Sequence, residues 1–159
     1  ERAVQLLGQA SSELGPPALL STRLYNAVLW ACARGEAWEE VQRLVGEMEA
    51  RGVSWDRHTY RALIDSWARA KRADKALELL QQMEEAEDEA LRPDVPAYNM
   101  VMAACLKRGW PVETLKVLKR MRERGGLTPD RYSYVAAITA CGACRSKKGG
   151  SKAKKGAVL

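Results

Sequence analysis

Along most of the chain, apolar residues fall with the period of an amphipathic helix, and they do so in pairs of short helices. Val41, Leu44, Val45 and Met48 follow an i, i+3, i+4, i+7 spacing, and the same spacing returns in Ala76, Leu79, Leu80, Met83 and in Thr114, Val117, Leu118, Met121. Ahead of each set lies another helical pattern at i, i+1, i+4: Val28, Leu29, Cys32, then Leu63, Ile64, Trp67, then Val101, Met102, Cys105. This spacing lines apolar side chains along one helix face and leaves the other polar. The short polar stretches ARGEAW, RAKRAD and KRGWPV separate the two helices of each pair and predict tight turns.

The pairs are copies of one another. Tyr25, Tyr60, Tyr98 and Tyr134 lie 35, 38 and 36 residues apart, and each of the first three precedes its Met (Met48, Met83, Met121) by 23 residues. Only the connection from Met to the next Tyr changes length, in EAEDEALRPD and ERGGLTPD, so a rigid unit with a variable loop is implied. The units are Thr22 to Asp56, Arg57 to Asp94 and Val95 to Asp130. Residues 1–21 read as the second helix of a preceding unit followed by the connection SSELGPPALLS, and residues 131–144 repeat the first helix alone. A single helix hairpin cannot bury both of its apolar faces. Stacked hairpins can, so the pattern predicts an all-α solenoid of antiparallel helix pairs with three complete repeats of ~35 residues and partial repeats at both ends.

Composition adds limits. Of the 159 residues 47% are hydrophobic, enough for a core, and no run of 18 or more apolar residues occurs. The chain opens on ERAVQLLGQA without Met, which reads as a fragment or processed form with any targeting peptide outside it. The net charge of +6 is concentrated after Cys144, in Arg145, Lys147, Lys148, Lys152, Lys154 and Lys155. Setting these six aside leaves 20 basic against 20 acidic residues. The body is neutral, and residues 145–159 read as a basic, flexible tail. The tail cations could follow RNA phosphates or an acidic protein groove, or serve only as a solubilising extension.

The period near 35, the Tyr-Asn that opens the first helix (YN in LYNAVLWACARG and AYNMVMAACLKRG), the Met that closes the second, and the unit endings SWD, RPD and TPD resemble the pentatricopeptide repeat (PPR) family over residues 1–144. The related tetratricopeptide repeat carries a small residue where this chain has Leu29, Ile64, Met102 and Ile138, and bulk there would block that family's close helix packing. The resemblance implies a right-handed superhelix whose first helices line a concave face for single-stranded RNA, one base per repeat. In that family a base is read by the residue after the Tyr together with the last residue of the unit: here Asn26 with Asp56, Arg61 with Asp94, and Asn99 with Asp130. An Asn amide offers donors and an acceptor to a base edge, and an Asp behind it can orient the amide; the family's Asn/Asp pair favours uridine. Arg61 lacks an acceptor and would meet phosphate, or Asp94, sooner than select a base.

The family's second position, usually an aliphatic that sandwiches the base, holds Arg23, His58, Pro96 and Tyr132 in this chain. Arg34, Arg69 and Lys107 share one place near the end of the first helix, where family members use a Lys. They would meet successive phosphates, offset the helix macrodipole, or do both.

Other signals point to packing. Cys141 and Cys144 form a lone C-x-x-C, but Cys32, Cys105 and Cys141 share one repeat position with Trp67, a place for core side chains. Neither a second C-x-x-C nor a His pair completes a metal site. His58, the only histidine, reads as a surface residue, and the acidic run Glu84, Glu85, Glu87, Asp88, Glu89 as a solvated helix end. With no nucleophile relay, cofactor motif or metal set, the chain reads as non-catalytic, and the resemblance implies an organellar (mitochondrial or plastid) protein. Its expected partner is single-stranded RNA or ribosomal RNA; in the alternative, it is a scaffold among neighbouring protein subunits of a large complex.

Overall fold

The computed structural model describes residue 5, residues 22–124 and residues 126–149. Among the described residues beyond residue 5, seven α-helices follow one another: α1 (Thr22–Arg34), α2 (Trp38–Ala50), α3 (Arg57–Arg69), α4 (Ala73–Glu85), α5 (Val95–Arg108), α6 (Pro111–Glu123) and α7 (Arg131–Gly149). One short 3-10 turn, Glu89–Leu91, takes up the extra residues of the second connection. No strand occurs among the described residues. Apart from residue 5, the half unit expected over residues 1–21 lies outside the described residues, as do the tail residues Lys152, Lys154 and Lys155.

The helix starts after α1 have local causes. Asp56, Asp94 and Asp130, the last residues of the three units, accept the backbone N–H of Thr59 (2.8 Å), Ala97 (3.1 Å) and Ser133 (2.9 Å), capping α3, α5 and α7. The second helices start from a different device. The chain leaves α1, α3 and α5 through a left-handed residue, Glu36 (φ 55°), Lys71 (φ 57°) and Gly109 (φ 78°). The next N–H then reaches back to the carbonyl of Cys32 (3.1 Å), Trp67 (2.9 Å) or Cys105 (2.9 Å), while the left-handed residue itself bonds Ala33, Ala68 or Leu106. This paired closure satisfies carbonyls at the helix end and turns the chain into the second helix within three residues.

The hairpins stack in two layers. Helices α1, α3, α5 and α7 touch in series, and α2, α4 and α6 cover them from the other side. Between the layers lie Val28, Leu29, Leu63, Ile64, Val101 and Met102 from the first helices, and Leu44, Leu80, Val117 and the three Met side chains from the second. Met48, Met83 and Met121 are all fully buried. The Tyr of each Tyr-Asn is buried as well. Tyr25 and Tyr98 are sealed, and each hydroxyl donates to a carboxylate, Glu47 (3.0 Å) and Glu84 (2.9 Å). A buried phenol needs such a partner, because an unmatched hydroxyl in the core is destabilising.

Three sequence expectations change. Helix α7 continues through Gly149, past the tail start expected at residue 145, so the backbone at Lys147 and Lys148 is helical. Between Gly142 and Gly149 the sequence ACRSKK contains no Gly or Pro to stop a helix. Glu84 is not part of a solvated helix end: its side chain is 4% exposed and takes Arg120 at 2.7 Å. Cys141 does not share the burial of Cys32 and Cys105. Along α7, Tyr134, Ile138 and Cys141 are exposed, whereas their counterparts in α1 and α5, Tyr25 and Tyr98, Leu29 and Met102, Cys32 and Cys105, are buried.

The turn geometry predicts opposite effects for two substitutions. Lys71 holds a left-handed conformation that L side chains resist, so Lys71→Gly should raise unfolding free energy by about 1 kcal/mol, whereas Gly109→Ala should lower it by about as much. A Cβ at Gly109 meets nothing within 4 Å, so the loss there would come from the backbone angle alone. Urea denaturation of the two variants checks the pair of signs.

Candidate nucleic-acid interface

The capping aspartates also define the candidate site. Asp130 begins α7 and at the same time faces Asn99 on α5, whose Nδ2 donates to both carboxylate oxygens at 3.0 and 3.1 Å. Asp56 begins α3 and accepts Asn26 Nδ2 from α1 at 2.9 Å. The sequence-predicted pairs are therefore joined across units. Each Asp sits at the end of its own unit in sequence and at the head of the next unit's helix in space. The middle pair is an ion pair instead: Arg61 Nη1 lies 3.6 Å from Asp94 Oδ2. Of the two partners expected for Arg61, the structure supplies Asp94.

A third residue completes each Asn/Asp pair, and sequence reasoning missed it. The Thr59 hydroxyl donates to Asn26 Oδ1 at 2.7 Å, and the Ser133 hydroxyl donates to Asn99 Oδ1 at 2.7 Å. Both hydroxyls accept the N–H of the capping Asp at 3.2 Å. The signal was legible in D-R-H-T and D-R-Y-S, a hydroxyl residue three places after the unit-ending Asp, the spacing of a reciprocal cap.

The surroundings differ between copies. Asn26 is 6% exposed, whereas Asn99 lines an open groove of about 620 Å³ between α5 and α7. Asp130, Arg61, Pro96 and Tyr132 line the same groove, with Met100 and Val135 along its apolar wall. The predicted reading pair of the third unit and two of the four predicted stacking residues thus meet in one place. Arg23 and His58, the other two, are exposed at the starts of α1 and α3. The predicted phosphate row, Arg34, Arg69 and Lys107, lies exposed at or near the ends of the first helices. Arg69 is partly spent on Asp65, at 2.8 Å.

Electrostatics follow from these bonds. Burial pushes Asp56 up, but the Thr59 N–H, the Asn26 amide, the Thr59 hydroxyl and nearby His58 outweigh it and hold the carboxyl below its ordinary value. For Asp130 the Ser133 N–H is the largest influence; it acts against desolvation and with the Asn99 amide and Ser133 hydroxyl, and the result is again a lowered carboxyl. Burial pushes the Cys105 thiol up to about 11 and raises Cys32 as well. No group of three or more potential metal ligands exists among the described residues, and no described helix is long and apolar enough to cross a membrane.

Two measurements follow. A carboxyl whose folded pKa is depressed stabilises the fold above its unfolded value near ~4 and loses that contribution as pH falls through the folded value. Denaturation midpoints should therefore drop as pH falls below about 4, and the drop should be shallower in Asp56→Asn/Asp130→Asn. With a thiol reagent at neutral pH, Cys141 should react in the folded protein, while Cys32 and Cys105 should react only on unfolding, since the buried thiols are both covered and largely protonated.

Comparison with known proteins agrees with this architecture. A pentatricopeptide repeat domain model matches residues 43–108, a PPR repeat family model residues 93–143, and a PPR repeat model residues 23–53. A chloroplastic pentatricopeptide repeat-containing protein of Arabidopsis thaliana is 36% identical over 119 residues, 75% of this chain and 16% of its own. A mitochondrial one from the same plant is 37% identical over 92 residues, 58% of this chain and 18% of its own. The chain thus spans under a fifth of either relative. The crystal structure of the maize pentatricopeptide repeat protein PPR10 superposes with a TM-score of 0.76 at 23% identity, covering 94% of this chain and 20% of that one. PPR10 in complex with an 18-nt psaJ RNA element superposes at 0.72 with 24% identity, covering 92% and 20%. Helix pairs in register, unit-ending aspartates that cap the next unit, and matching family models over residues 23–143 lead to one conclusion: the chain belongs to the pentatricopeptide repeat family.

Proposed function

We propose that the first-helix layer binds single-stranded RNA, with the groove between α5 and α7 as its open base pocket. In this reading the protein is a non-catalytic organellar RNA-binding factor, acting in RNA expression or as a ribosome-associated subunit in contact with ribosomal RNA. The observation that carries the reading is the groove itself. It brings the amide of Asn99, backed by Asp130, into one apolar cleft with Pro96 and the exposed ring of Tyr132. An oriented amide reads a base edge, and a ring or prolyl face stacks on the base plane. Arg34, Arg69 and Lys107 follow the same layer as candidate phosphate contacts. The RNA held by PPR10 and the chloroplastic and mitochondrial names of the relatives lend support.

Three units make a small platform. Stacking contributes ~1 to 3 kcal/mol per base, and association costs on the order of 4 to 15 kcal/mol, so the isolated chain should bind weakly. Titration of uridine-rich and adenosine-rich oligonucleotides at two salt concentrations tests the reading. The uridine-rich strand should bind more tightly, affinity should fall as salt rises, and Asn99→Ala should erase the preference. Equal binding of both strands that disappears on deletion of residues 145–159 would leave the tail as the sole RNA contact and end this reading.

A second reading, a protein-binding scaffold in a large complex, draws on the apolar side of α7, where Tyr134, Val135 and Ile138 are more than half exposed. Under it, both oligonucleotides fail to bind while Ile138→Asp abolishes association with the complex.

A further inference from the structure

We infer that Ser133 and Thr59 are positioning residues for the base-reading amides, so that a complete reader is a triad of Asn, Asp and a hydroxyl residue that spans two units. The inference rests on the RNA reading above and deepens it.

The same constellation is built twice from different residues. In the third unit, Asn99 Nδ2 meets Asp130, Asn99 Oδ1 accepts the Ser133 hydroxyl, and Ser133 Oγ in turn lies 3.0 Å from Asp130 Oδ1. In the first unit Asn26, Asp56 and Thr59 repeat each of these contacts, at 2.9, 2.7 and 3.0 Å. The chemistry allows one amide orientation. A carboxylate only accepts, so the amide nitrogen must face the Asp, and the oxygen then falls to the hydroxyl. The flipped amide would set its oxygen against a carboxylate. Asp decides which end of the amide is nitrogen; Ser or Thr holds the other end and stops it swinging. One lone pair on Oδ1 stays uncommitted, beside amide donor capacity, for a pyrimidine edge such as uracil N3–H beside O4.

The ordinary account of these hydroxyls is helix capping, and the middle unit argues against it as the whole story. There Ala97 occupies the equivalent position, fully buried, and α5 is still capped through Ala97 N to Asp94 at 3.1 Å. A hydroxyl is therefore not required to start the helix. What changes in that unit is the reader: Arg61 replaces Asn, and a guanidinium has no acceptor for a hydroxyl to hold. The hydroxyl is present in both units with an amide to hold and absent from the one without.

The test compares the unsubstituted chain with Ser133→Ala and Ser133→Thr. Uridine-over-adenosine preference should fall roughly threefold to tenfold in Ser133→Ala, the size of one net hydrogen bond, with the salt dependence unchanged, and Ser133→Thr should keep it. A preference unchanged in Ser133→Ala overturns the triad. Gain of function is the second arm: Arg61→Asn/Ala97→Thr should acquire a uridine preference at the middle unit that Arg61→Asn alone acquires weakly; equal gain in both overturns the triad. If the unsubstituted chain shows no base preference, the proposed function falls. The NMR signals of the Asn99 carboxamide without RNA then decide the clamp: slowed exchange of its protons lost in Ser133→Ala supports it, and unaltered signals in that variant overturn it.

Discussion

The aspartate that ends each unit holds the array together and builds its surface. Asp56, Asp94 and Asp130 each cap a first helix and each bond back to the side chain that follows Tyr in the previous first helix. One carboxylate thus sets where a helix starts and how far it lies from its neighbour. Because capping needs the Asp oxygen at the helix N-terminus, the Asn amide is brought to that end of the layer too. The candidate pocket follows from the joint between units.

Burial of the two helix faces supplies the bulk of the favourable energy, but it is indifferent to which unit follows which. Polar contacts across the joint discriminate. Glu84, at the end of α4, receives the Tyr98 hydroxyl from α5 and a two-pronged Arg120 from α6, with Arg124 at 3.6 Å. A carboxylate this covered needs all of its partners, since removal of one partner of a buried pair leaves an uncompensated charge. The first unit solves the same problem differently, with Glu47 serving Tyr25. A shared need, a partner for a buried phenol, is met by acids at different places, so copies with one backbone differ in their bonds.

Much of this was legible beforehand. The 23-residue interval from Tyr to Met and the helical spacing determined the hairpin, because period and length leave few ways to bury an apolar face. The Asn/Asp pairs were legible through family resemblance, and the structure brings their side chains into contact. The hydroxyl triad escaped notice because Thr59 and Ser133 meet their amides across the joint, on the neighbouring first helix, where nothing local in the sequence points. Glu84 was misjudged because five acids within six residues look solvated, and nothing local says that Arg120, 36 residues on, reaches one of them.

The sequence by itself determined the three complete units, their register and the turns, since each depends on spacing within some tens of residues. Tertiary structure decided which of the repeated side chains are open. Asn26 and Asn99 hold equivalent places and make equivalent bonds, yet only Asn99 lines the groove. Exposure belongs to the space between helices, and that space depends on how neighbouring units lean together.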